Sequence, residues 1–125
     1  PETQRLVEGN TRFTSADNLD VQPITGNVYV VEDAEHGEVH ACLPDGTDEN
    51  LQSDGCMSAI SVVDPAAEPT GFIFDGTGER AFLVVQLGEQ PASLLDSVSN
   101  AIDGRTDDLR MITGFAIRGA ESGAR

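Results

Sequence analysis

The chain contains no lysine: all seven of its basic residues are arginine, set against 22 acidic ones, for a formal charge of −15 in 125 residues. A surface of this sign repels nucleic acid and anionic membrane, so neither is an expected partner. Two readings of the acids stay open, carboxylates gathered around divalent cations or carboxylates spread over a surface kept hydrated in high salt. No apolar run approaches the ~20 residues that a spanning helix needs, so no membrane span is expected. Cysteine is nearly absent, with Cys42 and Cys56 alone. Joined, they would close a loop of about 15 residues, worth roughly 3 kcal/mol, and would point to an oxidising compartment. Two free thiols are the other reading, since the spacing fits no zinc pattern.

Recognisable catalytic motifs are missing as well. There is no G-x-S-x-G, no phosphate-cradling glycine loop and no Cys-His pair in a known context. His36 and His40 are four apart, but Gly37 lies between them in a segment that does not read as helix, which excludes the helical metal motif. The acids Asp45, Asp48, Glu49 and Asp54 fit no EF-hand spacing and read as a solvated loop. No catalytic nucleophile is named by this sequence.

What the sequence does contain is a hairpin stated twice. Glu68 to Gln86 runs Phe72-Ile73-Phe74 into a turn at Asp75-Gly76-Thr77-Gly78 and returns through Ala81 to Val85. Its β-branched and aromatic runs, split by a Gly-rich turn, predict an antiparallel hairpin. Shifted back by 53 positions, Phe72 falls on Leu19, Phe74 on Val21, Phe82 on Tyr29 and Val84 on Val31. A period of about 50 residues with strand-turn-strand in each unit points to an all-β protein built of β-propeller blades.

Leu19 to Gln22, Asn27 to Glu32, Glu38 to Leu43 and Ser58 to Val63 read as a four-stranded antiparallel meander, one blade. Thr3 to Phe13 reads as an outer strand leading into it, and Leu109 to Ile117 as a last strand. Leu94, Leu95, Val98, Ala101 and Ile102 recur at helical spacing, with Ser93 as cap and Gly104 as stop, predicting a short helix over 93–103. Closure of a propeller needs at least about four blades. The expectation is therefore an incomplete propeller, one partial domain of about two blades over 1–125, forming the C-terminal portion of a longer chain.

Residues just before the inner strand of each blade converge on the propeller axis. Asp17-Asn18 precede one such strand and Glu68 the other, while Glu32-Asp33 end the second strand of the first hairpin. Oxygen donors arriving from several blades suit Ca²⁺. The plainer reading is that Asp17 and Asn18 cap a turn and Glu68 is solvated.

The combination ADNLDVQPITGNVYVVED, DPAAEPTGFIFDGTGERAFLVVQ and DDLRMITGF resembles the C-terminal part of PhoX-type alkaline phosphatases, a family of metal-dependent propeller enzymes; the resemblance spans Glu2 to Phe115. It implies a periplasmic or secreted hydrolase of small phosphate esters that uses Ca²⁺, with iron in some members. By motif, Glu32 and Glu68 would be metal ligands, with Asp17, Asn18 and Asp33 in or next to the coordination shell. The alternatives are a non-catalytic propeller subunit, packed against its remaining blades or other chains, and a calcium-dependent lactonase, whose family shares the Asp-Asn element.

Overall fold

Alternation of side chains along Val28 to Glu32 sends Tyr29 and Val31 to one face and Val30 and Glu32 to the other, which is the pattern of a strand covered on both sides. The computed structural model describes residues 1–3, 5–7, 13–34, 37–43, 55–62, 67–87 and 107–115. These form seven strands: β1 (Ala16–Val21), β2 (Val28–Glu32), β3 (Glu38–Cys42), β4 (Cys56–Ser61), β5 (Ala67–Phe74), β6 (Arg80–Leu87) and β7 (Asp107–Thr113). They make two antiparallel sheets, β1-β2-β3-β4 and β5-β6-β7, each in chain order. The expected four-stranded meander is the first sheet. The described residues contain neither a closed barrel nor a closed propeller, and no helix. The helix expected over 93–103 lies outside the described residues. Of the expected outer strand, Arg5 to Val7 are not in strand conformation and Phe13 makes a single bridge.

The repeat is visible in the hydrogen-bonded register. In the first hairpin Leu19 pairs with Val30, Asp20 with Tyr29 and Val21 with Val28. In the second, Phe72 pairs with Leu83, Ile73 with Phe82 and Phe74 with Ala81. Each pair of the first maps on a pair of the second under the same 53-residue shift. The irregularity also repeats, between Ala16 and Asn18 in one hairpin and between Pro69 and Gly71 in the other. So does the bond that closes the turn: Gln22 N donates to Asn27 O, and Asp75 N to Arg80 O, each at 2.9 Å.

The sheets pack face to face. Tyr29, Val31 and Val39 of the first meet Phe72, Phe74, Leu83 and Val85 of the second in one core, with Ile60, Ile112 and Phe115 at its margin. Four of the six aromatic residues join there. The Tyr29 ring stacks on Phe72 with centroids 5.6 Å apart and meets Phe74 edge to face at 4.8 Å, while Phe115 closes the group. Each such pair adds about 0.5–1.5 kcal/mol beyond simple burial. Burial also pushes the Tyr29 hydroxyl pKa up, because the phenolate would be desolvated.

Two polar links cross between the sheets. Asp20 Oδ2 accepts a 2.6 Å bond from Phe74 N. The buried Gln22 side chain donates from Nε2 to Gly78 O at 2.9 Å. At Gly78, φ is +75° and an added Cβ would lie 2.7 Å from Pro23 O, so this turn approaches its counterpart only because the residue is glycine. Cys42 stands directly opposite Cys56 across β3 and β4, and the two are bonded, which decides between the two readings of the cysteines.

Candidate metal centre

Glu32 ends β2 and Glu38 begins β3, so the connection between them sets the two carboxylates side by side. Val31 pairs with Val39 and Val30 with His40. The period of two then puts Glu32, Glu38 and His40 on one face, the face turned away from the core. The connection is held tight at Gly37. An added Cβ there would lie 2.6 Å from Glu32 O, 2.7 Å from Ala34 O and 2.7 Å from Pro69 Cδ, so no side chain fits. Gly37 N donates to Ala34 O, and Val62 N donates to Gly37 O.

Although it faces away from the core, Glu32 is only 7% exposed and His40 only 6%. Phe13 covers them, its ring meeting His40 edge to face at 4.9 Å. Each Glu32 oxygen accepts one backbone bond, Oε1 from Thr14 N at 2.9 Å and Oε2 from Glu38 N at 3.2 Å. Glu38 is more open; its Oε1 accepts a 3.0 Å bond from Ser61 Oγ.

Between the two carboxylates sits His40 Nε2, 3.5 Å from Glu32 Oε2 and 3.4 Å from Glu38 Oε2. It is buried and makes no hydrogen bond. One ligand atom from each of the three residues lies within 4.8 Å of the others, and this is the one group of acid and histidine donors so disposed among the described residues. Two of the separations suit a common cation. A tetrahedral ion with bonds of about 2.1 Å separates its ligands by about 3.4 Å.

The sequence-predicted residues are dispersed around this centre. Glu32 is in it. Asp33 follows immediately but is exposed, with its N–H donating to Ser15 O. Asp17 is the extra residue of the β1 irregularity, and Asn18 pairs with Val31; both are exposed. Glu68 lies in the other sheet, opposite Gln86. Neither Glu68 nor Asp17 nor Asp33 joins the three-residue group. Glu38 and His40 join the site through strand pairing, which the i, i+4 spacing of His36 and His40 does not reveal. The usable signal was E-V-H-A-C, whose alternation puts the acid and the imidazole on one face beside the terminal acid of the preceding strand.

Scans against protein-family models, curated proteins and solved structures return no match to this chain.

Proposed function

We propose that this protein binds one divalent transition-metal ion through Glu32, Glu38 and His40. The observation that carries the reading is His40 Nε2, buried, without a hydrogen bond and flanked by two carboxylates. A buried polar nitrogen without a partner costs about 1–3 kcal/mol, and like charges opposed across a strand pair repel. One cation shared by the three groups removes both costs. Imidazole in the donor set favours zinc, iron, copper or nickel over Ca²⁺, which takes six to eight oxygens. The donor set thus supports iron, which the resemblance implies for some members, better than calcium.

Three protein ligands leave coordination positions open to water or substrate, and Glu38 provides the solvent-facing side. Together with the resemblance to PhoX-type phosphatases, this supports hydrolysis of phosphate esters as the use of the centre; the bound ion would polarise a phosphoryl oxygen and acidify water. The repeated hairpin and stacked sheets support propeller blades as the architecture, and the disulfide supports a periplasmic or secreted location.

Calorimetric titration of the chelator-stripped protein with Zn²⁺, Mn²⁺, Fe²⁺ and Ca²⁺ tests the reading. One saturable site is expected, weakened at least tenfold (about 1.4 kcal/mol) by His40→Ala and unchanged by Glu79→Gln, an exposed acid. A protonated imidazole bridging the carboxylates is the competing arrangement; it gives no saturable binding, and that result refutes the proposal. Release of p-nitrophenol from its phosphate ester, abolished by chelation, tests the hydrolytic use separately.

A further inference from the structure

The two hairpins share their register but bury opposite faces. Tyr29 and Val31 point into the common core, whereas their counterparts Phe82 and Val84 lie on the far side of the second sheet. Conversely, Phe72, Phe74 and Leu83 point inward, and their counterparts Leu19, Val21 and Val30 face out of the first sheet. Two sheets related by a local two-fold would bury the same face twice. Opposite faces are left when like units stack head to tail.

Head-to-tail stacking is not self-limiting. Each end of the stack still shows the face that its other end has buried. On the second sheet, Leu109 is 70%, Ile73 60% and Met111 59% exposed. The register sets Ile73, Phe82 and Met111 in one row and Val84 and Leu109 in the next, a continuous apolar surface. On the first sheet, Leu19 and Val21 are exposed above half-buried Val28 and Val30. An apolar cavity of about 270 Å³ opens there beneath Leu6 and Val7. Leu6, Val7 and Phe13 lie over part of the first sheet's outer face, and Leu19 and Val21 leave the rest of it on display, as the second sheet's outer face is.

We propose that a second copy of this chain docks head to tail, the part of its first sheet's outer face that carries Leu19 and Val21 lying on the outer face of the second sheet, following the internal packing there and leaving the Phe13-covered Glu32, Glu38 and His40 outside the contact. The repeat specifies the contact. Tyr29 meets Phe72 and Phe74 inside the chain, so Phe82 of one copy meets Leu19 and Val21 of the next. A contact of this kind continues until it closes a ring, so species above the dimer form. With a net charge of −15 on each copy, association strengthens as salt screens the repulsion.

Sedimentation of the whole chain over a range of concentration and salt is the first test. Species larger than the monomer, growing with both variables, are expected, and Leu109→Asp should weaken assembly at least tenfold. The second test mixes chains carrying Leu19→Cys with chains carrying Phe82→Cys and adds a short bis-maleimide. Cross-links are expected in the mixture and not with either variant alone. A monomer under every condition overturns the proposal, as do links within either variant alone or association without links in the mixture.

Discussion

Replacing Gln22 by leucine keeps the side-chain volume close to that of the original and deletes only the amide that joins the two turns. Gln22 is 1% exposed. Its Nε2 donates to Gly78 O at 2.9 Å and its Oε1 accepts from Thr25 Oγ1 at 2.8 Å. The Thr25 hydroxyl is half-buried and can turn to water, so its lost bond costs no more than about 1 kcal/mol. The Gly78 carbonyl belongs to a buried residue and would lose its donor across the sheet interface. Stranding it costs about 1–3 kcal/mol. The sum, roughly 1–4 kcal/mol, is a large part of the 5–15 kcal/mol typical of a domain. At roughly 4 °C per kcal/mol for this size, Tm should fall by about 4–16 °C. Thr25→Ser keeps the hydroxyl that donates to Gln22 Oε1 and accepts from Asn27 N, loses one half-buried methyl and should cost less than about 1 kcal/mol. Urea unfolding followed by circular dichroism gives both values. A loss below about 0.5 kcal/mol for Gln22→Leu, or equal losses for the two variants, refutes the idea that this amide locks the sheets together.

Two further predictions concern the same pair of turns. The Asp75 carboxyl is held at about 2, below its ordinary 3.8, chiefly by the Thr77 hydroxyl, with the Arg80 guanidinium and the Thr77 N–H assisting. A pKa depressed by folding contributes stability above the unfolded value, and that contribution is lost as pH falls through the folded one. The Tm advantage of the parent over Asp75→Asn should thus be full above about pH 4 and shrink towards pH 2; a gap independent of pH contradicts the assignment. In the first turn, Ile24 has φ of 79° and is exposed, a left-handed conformation that a β-branched side chain resists. Ile24→Asn should stabilise the protein by about 1 kcal/mol, and a measured loss would show that the turn is not strained there.

The strands of both hairpins were legible because two periodicities agree in them, the alternation within each strand and the 53-residue shift between units. The shift reads backbone geometry well, since register, irregularity and turn closure all follow it. It does not report which face is buried. Leu19 and Phe72 are equally apolar, and only the packing of one sheet on the other decides that Phe72 goes inward and Leu19 outward. The candidate site was half legible for a related reason. Glu32 stands out as an acid ending a strong strand. His40 gains its meaning only from the register that sets it beside Val30, within reach of Glu32 and Glu38.

Composition offered two uses for the acids, cations or hydration, and the structure adds a third that a residue count does not contain. Asp20 accepts the backbone N–H of Phe74, Glu32 those of Thr14 and Glu38, and Asp75 those of Thr77 and Gly78. In each case a carboxylate satisfies backbone donors that the sheet ladder leaves over, and bonds of this charge-assisted kind are roughly twice as strong as neutral ones. Two of the three act over long sequence separations, Asp20 to Phe74 between the sheets and Glu32 to Thr14 under the segment that carries Phe13. Glu32 occupies the place in its hairpin that Val85 occupies in the other. At Val85 the position faces the shared core and must be apolar. At Glu32 it faces outward, where Phe13 and Thr14 cover it, so a carboxylate can anchor that cover through Thr14 N while its other oxygen lies 3.5 Å from His40. The same backbone position thus serves packing in one unit and candidate chemistry in the other, because the stacking of the sheets turns it towards the core once and away from it once.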